Sequence, residues 1–313
     1  MNTPALFSRD RRRFLAASVG AVLGAETLFD PAGMAAEDRK FIDAHVHVWT
    51  PDTEHYPLAP GSLKKDMIPA SFTPEELFSQ CRPQGVNRIV LIQMSFYKFD
   101  NRYLLDMMER HKGVFRGVAI VDEGSPELQA EMKSLAKRGV RGFRVYTSAA
   151  QAAAWGDGMR KMWTCAADEG LAMCLLADPE SLPTVQKWCA QFPKTRVVID
   201  HFARIGMKGP VKQSDADHLC RLAESPLTHV KTSAFYALGG KKAPYTDMGP
   251  LVRRLRDSFG AERLMWASDC PFQLQDGHTY ADSIALIRDR LDFLTASDKE
   301  WMLRKTAEKV FFS

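Results

Sequence analysis

The residues best able to do chemistry in this 313-residue chain are histidines and acids at the ends of short apolar runs. The first run closes on Asp43-Ala44-His45-Val46-His47. Strand side chains alternate with period two. Asp43, His45 and His47 are therefore expected on one face, with Ala44, Val46 and Val48 on the other. A lone strand histidine is usually a hydrogen-bonded core residue. Two on one face at a strand end favour joint work, because imidazole is a common ligand for divalent transition metals. A second run, starting at Arg196, breaks into Asp200-His201, with Arg204 just beyond. A third runs from Leu264 to Ser268 and leaves Asp269 before Cys270-Pro271, where proline must end the strand. Asp269 is placed there either as a reactive carboxylate or as an N-cap.

Further polar residues sit where a substrate could be held. Arg144 and Tyr146 finish another run and share a face. A guanidinium there can grip an anion with two parallel hydrogen bonds, or pair with a loop acid. Gln93 and Ser95 end the second run, with Tyr97 beyond. Arg144, Tyr146, Gln93, Ser95, Tyr97 and Arg204 are thus the candidate substrate-binding residues. His55 could reach the site from a loop, and His278 could support it. His111, His218 and His229 fall away from the strand ends. No G-x-S-x-G elbow points to a serine nucleophile, and no G-x-G-x-x-G follows a strand.

Eight elements must position these groups. The apolar runs Phe41–Val48, Arg88–Gln93, Phe115–Val121, Val140–Tyr146, Leu171–Leu176, Arg196–His201, His229–Ser233 and Arg263–Ser268 are too short for helices and rich in Val, Ile, Leu and Phe. They read as buried strands. Between them lie amphipathic stretches: Pro74–Cys81, Asn101–His111, Pro126–Arg138, Gly158–Glu169, Pro183–Phe192, Ala216–Glu224 and Met248–Phe259. Several open with proline in the first turn or a Ser, Asp or Asn cap. Such alternation predicts a parallel (β/α)8 barrel of the TIM type, whose site lies at the C-terminal ends of the strands. The proline-rich segment Trp49–Ala70 would then cover that face, and Ser297–Val310 would form one more helix outside the barrel.

Composition agrees with a globular enzyme and excludes other classes. Hydrophobic residues make up 45% and charged residues 26%. A net charge of +4 is too small and too scattered to imply a nucleic-acid partner. The six cysteines are irregularly spaced, form no C-x-x-C pair and do not read as a disulfide framework. Residues 1–36 read as an address. Arg9, Arg11, Arg12 and Arg13 precede the apolar stretch Phe14–Ala25, and small residues stand at Ala35 and Ala36. The stretch is well short of the roughly 20 residues that cross a bilayer, so no stable membrane anchor is expected. The order Arg11-Arg12-Arg13-Phe14-Leu15 resembles a twin-arginine export signal. It implies the export machinery as a partner and a periplasmic or secreted barrel over 37–313. A homo-oligomer is compatible with the sequence.

Taken in order, Asp43-Ala-His45-Val-His47, Val140-Arg-Gly-Phe-Arg144, Asp200-His201 and Arg263-Leu-Met-Trp-Ala-Ser-Asp269 resemble the amidohydrolase-related (amidohydrolase 2) family. The lactonase-like branch also resembles the chain at Leu91-Ile-Gln93 and Asp100-Asn101; it includes 2-pyrone-4,6-dicarboxylate and sugar-acid lactonases. The resemblance runs from about Phe41 to the C-terminus. It implies a barrel hydrolase acting on a lactone or related ester-like carbonyl of a small organic or sugar acid. Asp269, His201, His45 and His47 would be catalytic, and the same four would hold one divalent metal, zinc or manganese, in the members that use one. Some relatives work without metal. The segment Val230–Tyr236 has no arginine, which argues against a dicarboxylate substrate. No lysine stands plainly at the fourth strand end, which argues against a carboxylated-lysine two-metal site. Two competing readings share the barrel: a decarboxylase or hydratase of an aromatic or unsaturated acid, and a non-catalytic exported binding protein.

Overall fold

The structure is a computed structural model and describes residues 41–313. The expected leader lies outside the described residues. Eight strands form one parallel sheet in sequence order: β1 (Phe41–Val46), β2 (Val86–Ile92), β3 (Phe115–Ala119), β4 (Val140–Thr147), β5 (Ala172–Ala177), β6 (Arg196–Ile199), β7 (Thr228–Thr232) and β8 (Leu264–Trp266). Helices fill the connections: α1 (Pro74–Cys81), α2 (Arg102–Arg110), α3 (Leu128–Lys137), α4 (Ala149–Ala153), α5 (Asp157–Asp168), α6 (Leu182–Gln191), α7 (Gln213–Arg221) and α8 (Gly249–Phe259). The start of α1 shows the local logic. Thr73 accepts a hydrogen bond from the Glu76 amide while Glu76 accepts one from the Thr73 amide, and Pro74 needs no donor there. This is the TIM barrel expected from the alternation. Among the described residues no helix is long and apolar enough to cross a membrane, and all six cysteines are unpaired.

The sheet closes on itself between β1 and the segment after β8. The His47 amide donates to the Cys270 carbonyl at 2.8 Å, and the Asp269 amide donates to the His45 carbonyl at 2.9 Å. The residues expected to do chemistry therefore also form the closing seam.

Two apolar clusters separate the inside of the barrel from its coat. Ile42, Ala44, Val90, Val118, Cys174, Val198 and Met265 form one buried cluster. They come from strands on opposite sides, so only the barrel interior can join them. Val46, Ile89, Leu91, Phe143, Leu175, Val230 and Trp266 belong to the other, beneath the helices.

This partition corrects two expectations. First, Asp43 does not share a face with His45 and His47. Asp43 pairs with Ile89, but Val46 pairs with Leu91, so three steps on β1 match two on β2. That is a β-bulge. It turns Ala44 and His45 both inward and leaves Asp43 facing outward. There Asp43 accepts hydrogen bonds from the Ser268 amide (2.9 Å), the His45 amide (3.2 Å) and the Tyr280 hydroxyl (2.7 Å).

Second, the C-terminal segment is one helical run from Ala296 to Phe312, as expected, with wider turns over Trp301–Lys305 and Glu308–Phe312, but it does not lie wholly outside the barrel. Ala307, Val310 and Phe311 then join the interior cluster and plug the N-terminal end. Filling that opening removes the apolar side chains of Val310 and Phe311 from water.

Candidate active site

The mouth is assembled by chain turns more than by strands. The sixth strand stops at Ile199, short of the expected His201. His201, Phe202, Ala203 and Arg204 then all take positive φ, between 50° and 57°. Left-handed backbone costs roughly 1–2 kcal/mol per residue outside glycine. Ala234 after β7 (φ 58°) and Asp269 after β8 (φ 65°) turn the same way. Such strain persists only where surrounding packing over-determines it, and it gathers at functional sites. Phe202, Ala203 and Ala234 are accordingly buried.

These turns bring four side chains to one point. Asp269 Oδ1 lies 3.5 Å from His45 Nε2, 3.5 Å from His47 Nε2 and 3.6 Å from His201 Nε2. The two nitrogens of the His-x-His pair are 3.2 Å apart. His47 Nδ1–H donates to the Ile92 carbonyl at 2.9 Å, which fixes that ring's orientation. His201 Nδ1 is 2.8 Å from Ser233 Oγ. The Tyr236 hydroxyl donates to Asp269 Oδ2 at 2.7 Å. All four groups expected to be catalytic thus converge, and all are buried.

Electrostatics set their charge states. Burial, which disfavours the charged ring, lowers the pKa of His45, His47 and His201. The Lys231 ammonium pushes His45 further in the same direction. Burial would raise Asp269, but the imidazoles around it outweigh that and hold it below the usual carboxylate range. The resting site is three neutral imidazoles around one carboxylate. Asp43, outside this group, is pushed up to about 6 by burial.

The other expected residues divide. Arg144 is 9% exposed, and its Nη1 donates to His47 Nε2 at 3.5 Å. Its Nε has no hydrogen-bond partner, and it enters no ion pair among the described residues. Tyr146 flanks it, 5.1 Å from ring centre to guanidinium carbon. Arg204 is at the mouth but is paired with Asp178. Gln93, Ser95 and Tyr97 are not brought to the site. The Gln93 amide donates to the Lys98 and Asp100 carbonyls. Ser95 is exposed, and Tyr97 packs on Phe96. His55 is solvent-exposed and bonded to Asp52. His278 meets the Tyr245 hydroxyl at 2.6 Å.

A cavity of about 230 Å³ opens over Asp269, His47 and His201. Arg144, Arg204 and Tyr236 supply its other polar walls, while Leu176, Met207, Leu238 and Phe272 supply the apolar ones. Arg144 also lines a neighbouring cavity of about 390 Å³ with Tyr146 and Trp155.

Sequence reasoning passes over Lys231, Ser233 and Tyr236. Lys231 is fully buried, with Nζ 2.9 Å from Asp200 Oδ1 and 3.2 Å from His45 Nδ1. The available signal was a lysine inside an otherwise buried strand. A search of that strand for arginine alone misses it.

Comparison with known proteins agrees with this architecture. The amidohydrolase family model matches residues 42–312. Over 244 residues the chain is 32% identical to an L-fucono-1,5-lactonase of Burkholderia ambifaria, covering 76% of this chain and 82% of that one. It is 27% identical over 253 residues to a 2-pyrone-4,6-dicarboxylate hydrolase of Comamonas testosteroni, covering 78% and 80%. A Burkholderia multivorans amidohydrolase crystallised with bound zinc superposes with a TM-score of 0.70 at 19% identity, over 87% of this chain and 99% of that one. With the family model spanning the whole barrel, the chain belongs to the amidohydrolase family and is a hydrolase.

Proposed function

We propose that this protein hydrolyses the ring ester of a small lactone derived from an organic or sugar acid. The observation that carries the reading is the convergence of three buried imidazole Nε2 atoms on one oxygen of Asp269. The lactonase named among its relatives supports the same chemistry.

In this reading Asp269 is the general base. It takes a proton from water as the water oxygen attacks the lactone carbonyl. The Tyr236 hydroxyl holds Oδ2, so Oδ1 faces the imidazoles and the cavity. Arg144 and an imidazole N–H stabilise the oxyanion formed on the carbonyl. The ring C–O bond then breaks, and Asp269 returns its proton to the departing alkoxide. The product is a hydroxy acid, which gives up its carboxyl proton to solvent and is left as a carboxylate beside Arg144. The apolar walls keep bulk water from competing for these hydrogen bonds.

His45, His201 and Asp269 present ligand atoms within 4.8 Å of one another, all buried. Two nitrogens and one carboxylate oxygen suit zinc or manganese. An ion held there would supply Lewis acidity to the carbonyl. A panel of sugar-acid and unsaturated lactones, assayed with and without prior chelation, tests the reading. Ring opening with uptake of one water supports it. Release of carbon dioxide from an aromatic acid, with no lactone turned over, overturns it.

We further propose that residues 1–36 direct export, as their arginine-led apolar pattern suggests. N-terminal sequencing of the protein recovered from its bacterial envelope tests this, with Glu37 expected first.

A further inference from the structure

Building on the lactonase reading, we propose that Lys231 is a positioning residue. It holds His45 with its proton on Nε2, toward His47 and Asp269, and so competes with any divalent metal for that nitrogen.

A backbone carbonyl fixes the tautomer of the neighbouring ring, His47. His47 Nδ1 faces a backbone carbonyl, which can only accept, so Nδ1 carries the hydrogen. In the neutral ring, Nε2 of His47 is then an acceptor, which Arg144 Nη1 also approaches at 3.5 Å. His45 Nε2 lies 3.2 Å from that acceptor. That contact is a hydrogen bond only if His45 Nε2 is the donor. His45 Nδ1 must then accept, and its nearest polar neighbour is the Lys231 ammonium at 3.2 Å, a group that can only donate. Lys231, His45 and His47 thus donate in turn along one chain that ends on the Ile92 carbonyl as acceptor.

A metal on His45 Nε2 needs the opposite arrangement. Nδ1 would carry the proton and donate it outward, as metal-bound histidines do, to a carboxylate. Asp200 stands ready, with Oδ1 3.4 Å from Nδ1. Lys231 stands against that switch. Its Nζ touches both partners, 2.9 Å from Asp200 Oδ1 and 3.2 Å from His45 Nδ1, so it directs a donor at Nδ1 and neutralises the carboxylate that would receive the proton. The ammonium has little room to withdraw. Lys231 and Asp200 are fully buried, and the Phe311 ring lies 5.6 Å below Nζ.

Two measurements on the full barrel test this, and neither needs turnover, so failure of the lactonase reading would not disturb them. The first is nitrogen NMR of 15N-histidine-labelled, metal-free wild-type protein, with His45 assigned through His45→Gln. Protonated Nε2 on His45 and protonated Nδ1 on His47 are expected. A His45 ring protonated on Nδ1 overturns the proposal. The second is calorimetric titration of zinc chloride into wild type and Lys231→Met. With the ammonium gone, Asp200 becomes the acceptor for His45 Nδ1–H. Zinc should then bind about tenfold or more tighter, the size of effect such outer partners have. Equal zinc affinity in the two proteins overturns it. Should Lys231→Met fail to fold, the wild-type spectrum still decides.

Discussion

The two ends of the barrel follow different rules. At the N-terminal end, Val310 and Phe311 seal the interior, and the strands absorb register shifts at Phe41 and Gly117 within buried packing. At the C-terminal end almost every local rule is broken. β1 bulges, β6 stops early, and His201, Phe202, Ala203, Arg204, Ala234 and Asp269 all take left-handed backbone. The difference teaches where the molecule keeps its stability and where it spends it. Apolar packing at the closed end holds strained turns at the mouth, and those turns aim the side chains.

The sharpest way to break this contrast is at Asp269. Asp269→Asn keeps the shape but cannot take a proton, so kcat/KM on an active lactone should fall about 1000-fold. Its thermal unfolding should stay within a few degrees of wild type. Loss of folding with activity per folded molecule retained would mean the mouth is structural. The converse substitution lies at the closed end. Phe311→Ala empties the plug and should cost about 3–5 kcal/mol in denaturant unfolding. Turnover per folded molecule should change little.

Acid should act on both properties through the mouth. Burial lowers His45, His47 and His201 below the ordinary 6.5, so the unfolded chain binds more protons once pH falls beneath that value. Their contribution to stability is whole above 6.5 and is lost as pH drops toward the folded values. Asp43, raised to about 6, runs the other way, weakening the fold as pH rises from 3.8 toward 6. A pH–rate profile should therefore be flat near neutrality, with an acid limb whose midpoint lies below 6.5. A midpoint above 6.5 would contradict buried neutral imidazoles.

Smaller effects sharpen the picture. Tyr236→Phe removes one hydrogen bond to Asp269 and should lower kcat roughly tenfold, the equivalent of about 1–2 kcal/mol. Ala203→Gly relieves one left-handed residue and loses one buried methyl. The two nearly cancel, and a gain below about 1 kcal/mol in unfolding free energy is expected, with activity unchanged.

The contrast also explains what could be read from the chain alone. The strands and helices were legible because hydrophobic period survives wherever packing is regular. Pro74–Cys81 was bounded correctly by its own caps. His45, His47, His201 and Asp269 were legible because polar groups interrupt apolar runs. Asp43 was misplaced because a bulge depends on a partner strand and leaves no mark in β1 itself. The left-handed turn at His201-Phe202-Ala203-Arg204 contains no glycine or asparagine to announce it. Lys231 escaped because its role rests on Asp200 and His45, residues that only the closed barrel brings to it. The end of the chain is legible as a helix, but its apolar residues suit a coat as well as a plug, so its place is not legible.

The seam between the first and last strands carries one more consequence. Asp43 and Ser268 are 225 residues apart in the chain, yet they meet beside the reacting group. His45 and Asp269 join across the same gap. No half-barrel fragment therefore contains both His45 and Asp269, and the cluster they share is complete only once the segment after the eighth strand is in place. Any molecule that bridges His45 and Asp269 acts as a removable staple between the ends of the fold, holding the barrel shut for as long as it stays bound.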